Sequence, residues 1–253
     1  MSLMLENGAV SLDYTGISNL PDSHFDKMTA THHPVPHKTV IDTVKSSLQK
    51  FTEYSIVKEQ FGTSHNHKNL FGVLHLKKDN NKNHDYDVVY GLRHSNMMHF
   101  SLKCGLGSQV IVCSNLAWMV DAECQGSKHT ENVHDAFNER LNDLNRSLLS
   151  RDKDLHQKFK RYKDISLNYK DADHIIMESI RRGAITKSKC NAVDSEWRNP
   201  TYKYNSTGNS MWDLYNAFTH VNKGTFYADQ ITRTQRLHEA FNLSVDEGDV
   251  GYI

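Results

Sequence analysis

The 253-residue chain balances 30 Lys and Arg against 30 Asp and Glu, with 38% hydrophobic and 24% charged residues, the range of a globular protein long enough to bury a core. A formal charge of zero excludes a molecule drawn to polyanions by its overall field. No apolar run approaches the roughly 20 residues that a membrane-spanning helix needs, and the opening MSLMLENGAVSLDYTG lacks the basic flank and apolar stretch of a secretory leader.

The expectation is therefore a soluble, cytoplasmic protein with no membrane association. Cys104, Cys113, Cys124 and Cys190 are too scattered to read as a disulfide framework. Cys113, inside QVIVC, reads as a small buried hydrophobe.

Residues 1–30, with Pro21 among several Ser, Asn and Asp, read as an irregular arm. The first periodic segment is KTVIDTVKSSLQKF. There Val40, Ile41, Val44, Leu48 and Phe51 recur at helical spacing, and Thr39 with Asp42 matches a capping box. Strands are predicted over 54–61, over 70–77, which is apolar on both faces, and over 87–93. The turn-forming DNNKN lies between the last two. SLKCGLGSQVIVC reads as two short strands turning at Gly105 and Gly107.

After Thr130 the pattern becomes helical. Leu141, Leu148, Leu155 and Tyr162 repeat every seven residues, which predicts one long helix or a helical hairpin. A shorter helix over 171–182 stops at Gly183. WRNPTYKYNSTGNS reads as a loop, and SMWDLYNAFTHV as a helix opened by Ser210 and Asp213 in capping-box positions. Strands followed by helices predict an α+β fold: an N-terminal helix and antiparallel sheet, then a mainly helical C-terminal half. The divisions are 1–30, 31–125 and 126–253, the last two forming one cooperative unit.

The sixteen histidines invite a metal reading that their spacing does not carry. Pro34 and Pro36 keep His32, His33 and His37 off a common helical face. His65 and His67 flank a turn, and no zinc-finger or HExxH spacing occurs. Gly105-Leu106-Gly107 lacks the third glycine and the following helix of a phosphate loop. No metal or other cofactor is expected.

Charge is uneven, however. Residues 146–189 hold 12 Lys and Arg against 6 Asp and Glu. Within QKFKRYK, Phe159 and Tyr162 can face a core while Lys158, Arg161 and Lys160 line the other side. Arg181 and Arg182 close the next helix. WRNPTYKY sets Trp197, Tyr202 and Tyr204 beside Arg198 and Lys203, a composition suited to base stacking. The predicted nucleic-acid-binding set is Lys158, Lys160, Arg161, Lys163, Arg181, Arg182, Arg198, Tyr202 and Tyr204.

VVYGLRHSN followed by GSQVIVCSNLAW resembles the "GLRNSHD … VFVCDNLAF" pattern of the phage/plasmid-like proteins of domain of unknown function 932. HHPVPHKTVIDTV resembles that family's entry into its first helix, and SMWDLYNAFTHV its "TLWGLFNAVTE" segment. The likeness covers roughly residues 30–240. It departs at His94-Ser95-Asn96, where Asn-Ser-His-Asp is usual, and at His220, where Glu is usual. The resemblance implies a bacteriophage origin and the bacterial cytoplasm, and supplies no established activity. The order of elements is also similar to single-strand annealing proteins, at the level of fold alone.

The expected function is non-enzymatic association with nucleic acid, in the form of single-stranded DNA binding or annealing. The alternatives are a metal-dependent nuclease or nucleotide hydrolase using Asp85, Asp87 and nearby histidines, and a host-directed inhibitor acting by protein contact. A second copy of the chain or a host protein is then the alternative partner.

Overall fold

A computed structural model describes residues 9–21, 29–78, 86–110, 116–127, 131–204, 206, 208–223 and 227–246. It is an α+β fold. The elements run β1 (Val10–Leu12), α1 (Tyr14–Ser18), α2 (His37–Phe51), β2 (Ser55–Ser64), β3 (Asn69–Lys77), β4 (Tyr86–Ser95), β5 (Leu102–Val110) and β6 (Leu116–Ser127). Helices follow: α3 (Val133–Arg146), α4 (Leu148–Asp164), α5 (Tyr169–Arg181), a 3₁₀ turn (Lys187–Lys189), α6 (Cys190–Arg198), α7 (Met211–Val221) and α8 (Tyr227–Asp246). No described helix is long and apolar enough to cross a membrane.

Two compact units divide the chain. The first takes the chain up to Gly107 together with Asp121–Arg151; the second takes Ser108–Val120 and the chain from Asp152 on. The six strands lie in chain order, β1-β2-β3-β4-β5-β6, and β1 through β4 pair antiparallel.

β3 is buried from Asn69 to Leu76, as its unbroken apolar run requires. At its centre Gly72 meets Phe61: a Cβ there would stand 2.7 Å from Phe61 Cδ1 and 3.1 Å from Leu92 Cγ. Glycine is the residue that fits this close approach. α2 buries Val40, Ile41, Val44 and Leu48. It meets α3 through a polar knot in which Ser47 Oγ donates to Asn142 Oδ1 (2.6 Å) and accepts from Asn145 Nδ2 (2.8 Å).

Several sequence expectations are corrected. The region read as an irregular arm contains β1 and α1, the latter capped by Asp13, whose carboxylate accepts from Gly16 N–H. Thr39 and Asp42 form no capping box, because α2 starts earlier, at His37, behind Pro36. Asp42 instead accepts from Tyr14 and Lys38. Gly105 and Gly107 make no turn but lie within the continuous β5. The heptad repeat produces two helices, α3 and α4, meeting at Ser147, whose N–H still reaches Asp143 O and Leu144 O. Trp197 and Arg198, read as loop, close α6. The DNNKN turn, Cys113 and Asp85 lie outside the described residues.

In the second unit, both α5 and α7 carry full capping boxes, Asn168 with Asp171 and Ser210 with Asp213. α5 ends at Gly183, whose φ of 72° lets Ala184 N–H bond back to Ser179 O. α7 is buried from Met211 to Thr219 and forms the spine of an aromatic core with Phe159, Tyr162 and Phe241.

Candidate nucleic-acid interface and neighbouring polar clusters

Two aromatic side chains fix the rotation of α4. Phe159 packs 4.6 Å from the Trp212 ring and 5.5 Å from Tyr215, and Tyr162 packs 5.5 Å from Phe241. With those positions turned inward, Lys160 and Arg161 face solvent, and neither has a partner among the described residues. Lys163 is half-buried and lies over the Trp212 ring at 5.7 Å.

Lys158 turns back into the core. Its ammonium donates to His238 Nδ1 at 3.1 Å, so the neutral imidazole carries its hydrogen on Nε2 and donates it to Tyr215 Oη at 3.2 Å. Burial pushes the Tyr215 phenol far above its ordinary range, which keeps this chain neutral beyond the lysine.

The remaining predicted residues divide. Arg181 and Arg182 are both tied to Glu178, at 3.3 and 3.0 Å, and Arg182 also approaches Glu239 at 3.9 Å. Arg198 pairs with Asp194 at 2.7 Å and covers the Tyr169 ring at 4.3 Å. Tyr202 is half-exposed, with the Lys223 ammonium 5.3 Å from its ring centroid. Tyr204 is 3% exposed and donates to Glu196, while its carbonyl accepts from Trp212 Nε1. A ring so buried offers no face to a base, which corrects the stacking role expected of Tyr204.

The packing of α6 against α7 creates a groove of about 730 Å³ lined by Lys189, Ala192, Ser195, Glu196, Asn199, His220 and Val221. Glu196 is buried and accepts three hydrogen bonds. Its Oε1 accepts from Thr201 N–H (2.9 Å) and Tyr204 Oη (3.4 Å), and its Oε2 accepts from Thr201 Oγ1 (2.7 Å). His220 Nδ1 lies 3.8 Å from Glu196 Oε1. Sequence reasoning passed over this groove because Glu196 and His220 belong to separate helices and form no motif. Only His220, as a departure from the resembled pattern, was visible.

The GLRHSN stretch gathers a second cluster, in the first unit. Asn96 clasps the backbone of Val35 with both amide atoms, Nδ2 to Val35 O at 2.9 Å and Oδ1 from Val35 N–H at 3.0 Å. Ser95 Oγ accepts from the N–H groups of Met97 and His99. His94 meets His37, whose Nε2 donates to His67 O at 2.7 Å. His65, Asn66 and His67 all have positive φ, 52–62°, a left-handed run that closes the four-residue β2–β3 turn. These polar residues brace backbone. No three His, Cys, Asp or Glu side chains among the described residues converge as a metal site.

Asp87 is half-buried, and burial raises its carboxyl pKa, partly countered by Lys77. The chain matches no family model, no curated protein and no solved structure with which it was compared.

Proposed function

We propose that this protein associates with nucleic acid through the solvent face of α4. The observation that carries the reading is that Phe159 and Tyr162 lock the helix so that Lys160 and Arg161 project into solvent with no partner among the described residues. Lys163 stands one turn beyond Lys160. Exposed cations without internal partners are the groups that displace counterions from a phosphate backbone, whereas Arg181, Arg182 and Arg198 already spend their charge on Glu178, Glu239 and Asp194. Half-exposed Tyr202 is the accessible aromatic for stacking on a single strand. The short-motif likeness to phage/plasmid-like proteins supports a setting in the bacterial cytoplasm.

The test is fluorescence anisotropy of a labelled single-stranded oligonucleotide across a series of salt concentrations. Affinity should fall as salt rises. Lys160→Glu with Arg161→Glu should reduce both the affinity and the salt slope while the fold is kept. No binding at low salt would overturn the reading.

A further inference from the structure

We propose that the groove between α6 and α7 is a binding site for a small ligand bearing an oxyanion, phosphate or carboxylate, seated on Lys189. The volume, about 730 Å³, is that of a small-molecule site. Its cation is held in place: Lys189 Nζ donates one of its three hydrogens to Val221 O at 2.8 Å, leaving two to turn toward the groove. Burial, followed by the positive charge of Arg233, presses on this ammonium and lowers its pKa. No carboxylate among the described residues answers it.

A partly desolvated cation without a counter-ion is costly, and an anion entering the groove removes that cost. Glu196, which also lines the groove, makes no ion pair with Lys189; its oxygens accept from Thr201 and Tyr204 instead. Beside it, His220 Nδ1 is buried without a hydrogen bond. Ser195 on α6 and Asn199, the cap that ends it, also line the groove. The anionic head therefore belongs on Lys189, and the polar body of the ligand lies along Ser195, Asn199 and His220. This site is separate from the α4 surface and does not depend on it.

The experiment is an NMR titration of ¹⁵N-labelled protein with inorganic phosphate, with acetate, and with chloride at matched ionic strength. Saturable shifts confined to the amides of 189–199 and 220–221, absent with chloride, are expected. Phosphate alone, acetate alone, or both producing them would identify which oxyanion the groove takes. Lys189→Gln should weaken binding at least tenfold, and His220→Asn by a smaller factor. The Lys160→Glu, Arg161→Glu protein should bind unchanged, so that failure here is distinct from failure of the nucleic-acid reading. Shifts that chloride reproduces, or that survive Lys189→Gln, would overturn the site. Should Lys189→Gln not fold, the comparison of phosphate and acetate with chloride on the unaltered protein decides.

Discussion

His37 and His94 meet edge to face inside the first unit, Nδ1 to Nδ1 at 2.8 Å with ring centroids 4.9 Å apart. The His67 carbonyl can only accept, so His37 Nε2 carries a hydrogen. Between the two Nδ1 atoms there is room for one more: neutral His37 accepts it from His94, or charged His37 donates it. Both rings cannot carry Nδ1–H at once and keep the contact.

His37→Leu therefore removes the donor to His67 O and the Nδ1 partner of His94 together. At roughly 1–3 kcal/mol per buried polar group deprived of its partner, the expected loss for the two is about 2–6 kcal/mol, read from the urea midpoint. A loss under about 0.5 kcal/mol would mean that the pair does not hold the β2–β3 turn.

Trp212 is fully buried, stacks on Tyr215 at 5.9 Å and donates from Nε1 to Tyr204 O at 3.1 Å. Trp212→Ala should cost about 3–5 kcal/mol, the range for a buried aromatic truncated to a methyl group. Trp212→Phe should lie below that, since a ring still fills part of the site, although the indole bond to Tyr204 O and some buried volume are lost. Guanidinium denaturation distinguishes the two, and an unchanged midpoint for Trp212→Ala would contradict its place in the core.

Legibility followed the range of the forces. The strands over β2–β4, the cap of α7 and the inward turn of Phe159 and Tyr162 were readable because periodicity and capping act within a few residues. The start of α2 was misread because Pro36 sets the boundary while Asp42 is drawn away by Tyr14, 28 residues earlier in the chain. GLG looked like a turn because glycine signals both turns and strands under close approach, and only neighbouring strands decide between them. Of the predicted interface, the exposure of Lys160 and Arg161 was legible from helix phase. The ion pairs of Arg182 with Glu239, the burial of Tyr204 and the α6–α7 groove were not, because each depends on segments brought together by the fold.

His75, on β3, is buried and bonded through Nε2 to Gln60 Oε1 at 3.2 Å. Burial, and then the charge of Lys58, lower its pKa from the ordinary histidine value; burial, and then His33, do the same for His32. The unfolded chain thus takes up protons at a pH where the folded chain does not. Their stability contribution is present above the ordinary value of about 6.5 and is lost as pH falls through and below it. Asp87, with its pKa raised, works in the opposite sense, its contribution being lost as pH rises above the ordinary carboxylate range. His75→Gln should flatten the fall in stability between about pH 7 and 5, by up to about 1.4 kcal/mol per pH unit for one proton. Parallel curves for the two proteins, from chemical denaturation at each pH, would exclude His75 as a contributor.

The last expectation separates free from committed positive charge. Arg161 projects into solvent with no partner among the described residues, whereas Arg181 and Arg182 share the carboxylate of Glu178. If α4 is the nucleic-acid surface, Arg161→Ala should weaken oligonucleotide binding by the equivalent of one phosphate contact, lowering the salt slope by just under one. Arg181→Ala should do less, because a guanidinium held by Glu178 gives up that pairing before it can reach a phosphate. Glu178→Gln is the informative complement. It releases Arg181 and leaves Arg182 only its longer approach to Glu239, and it should strengthen binding and steepen the salt dependence while costing no more than about 1 kcal/mol in stability, as expected for pairs near the surface. Anisotropy titrations at four salt concentrations give the slopes directly. A loss of binding from Arg181→Ala with none from Arg161→Ala would move the contact away from α4 and onto the C-terminal end of α5.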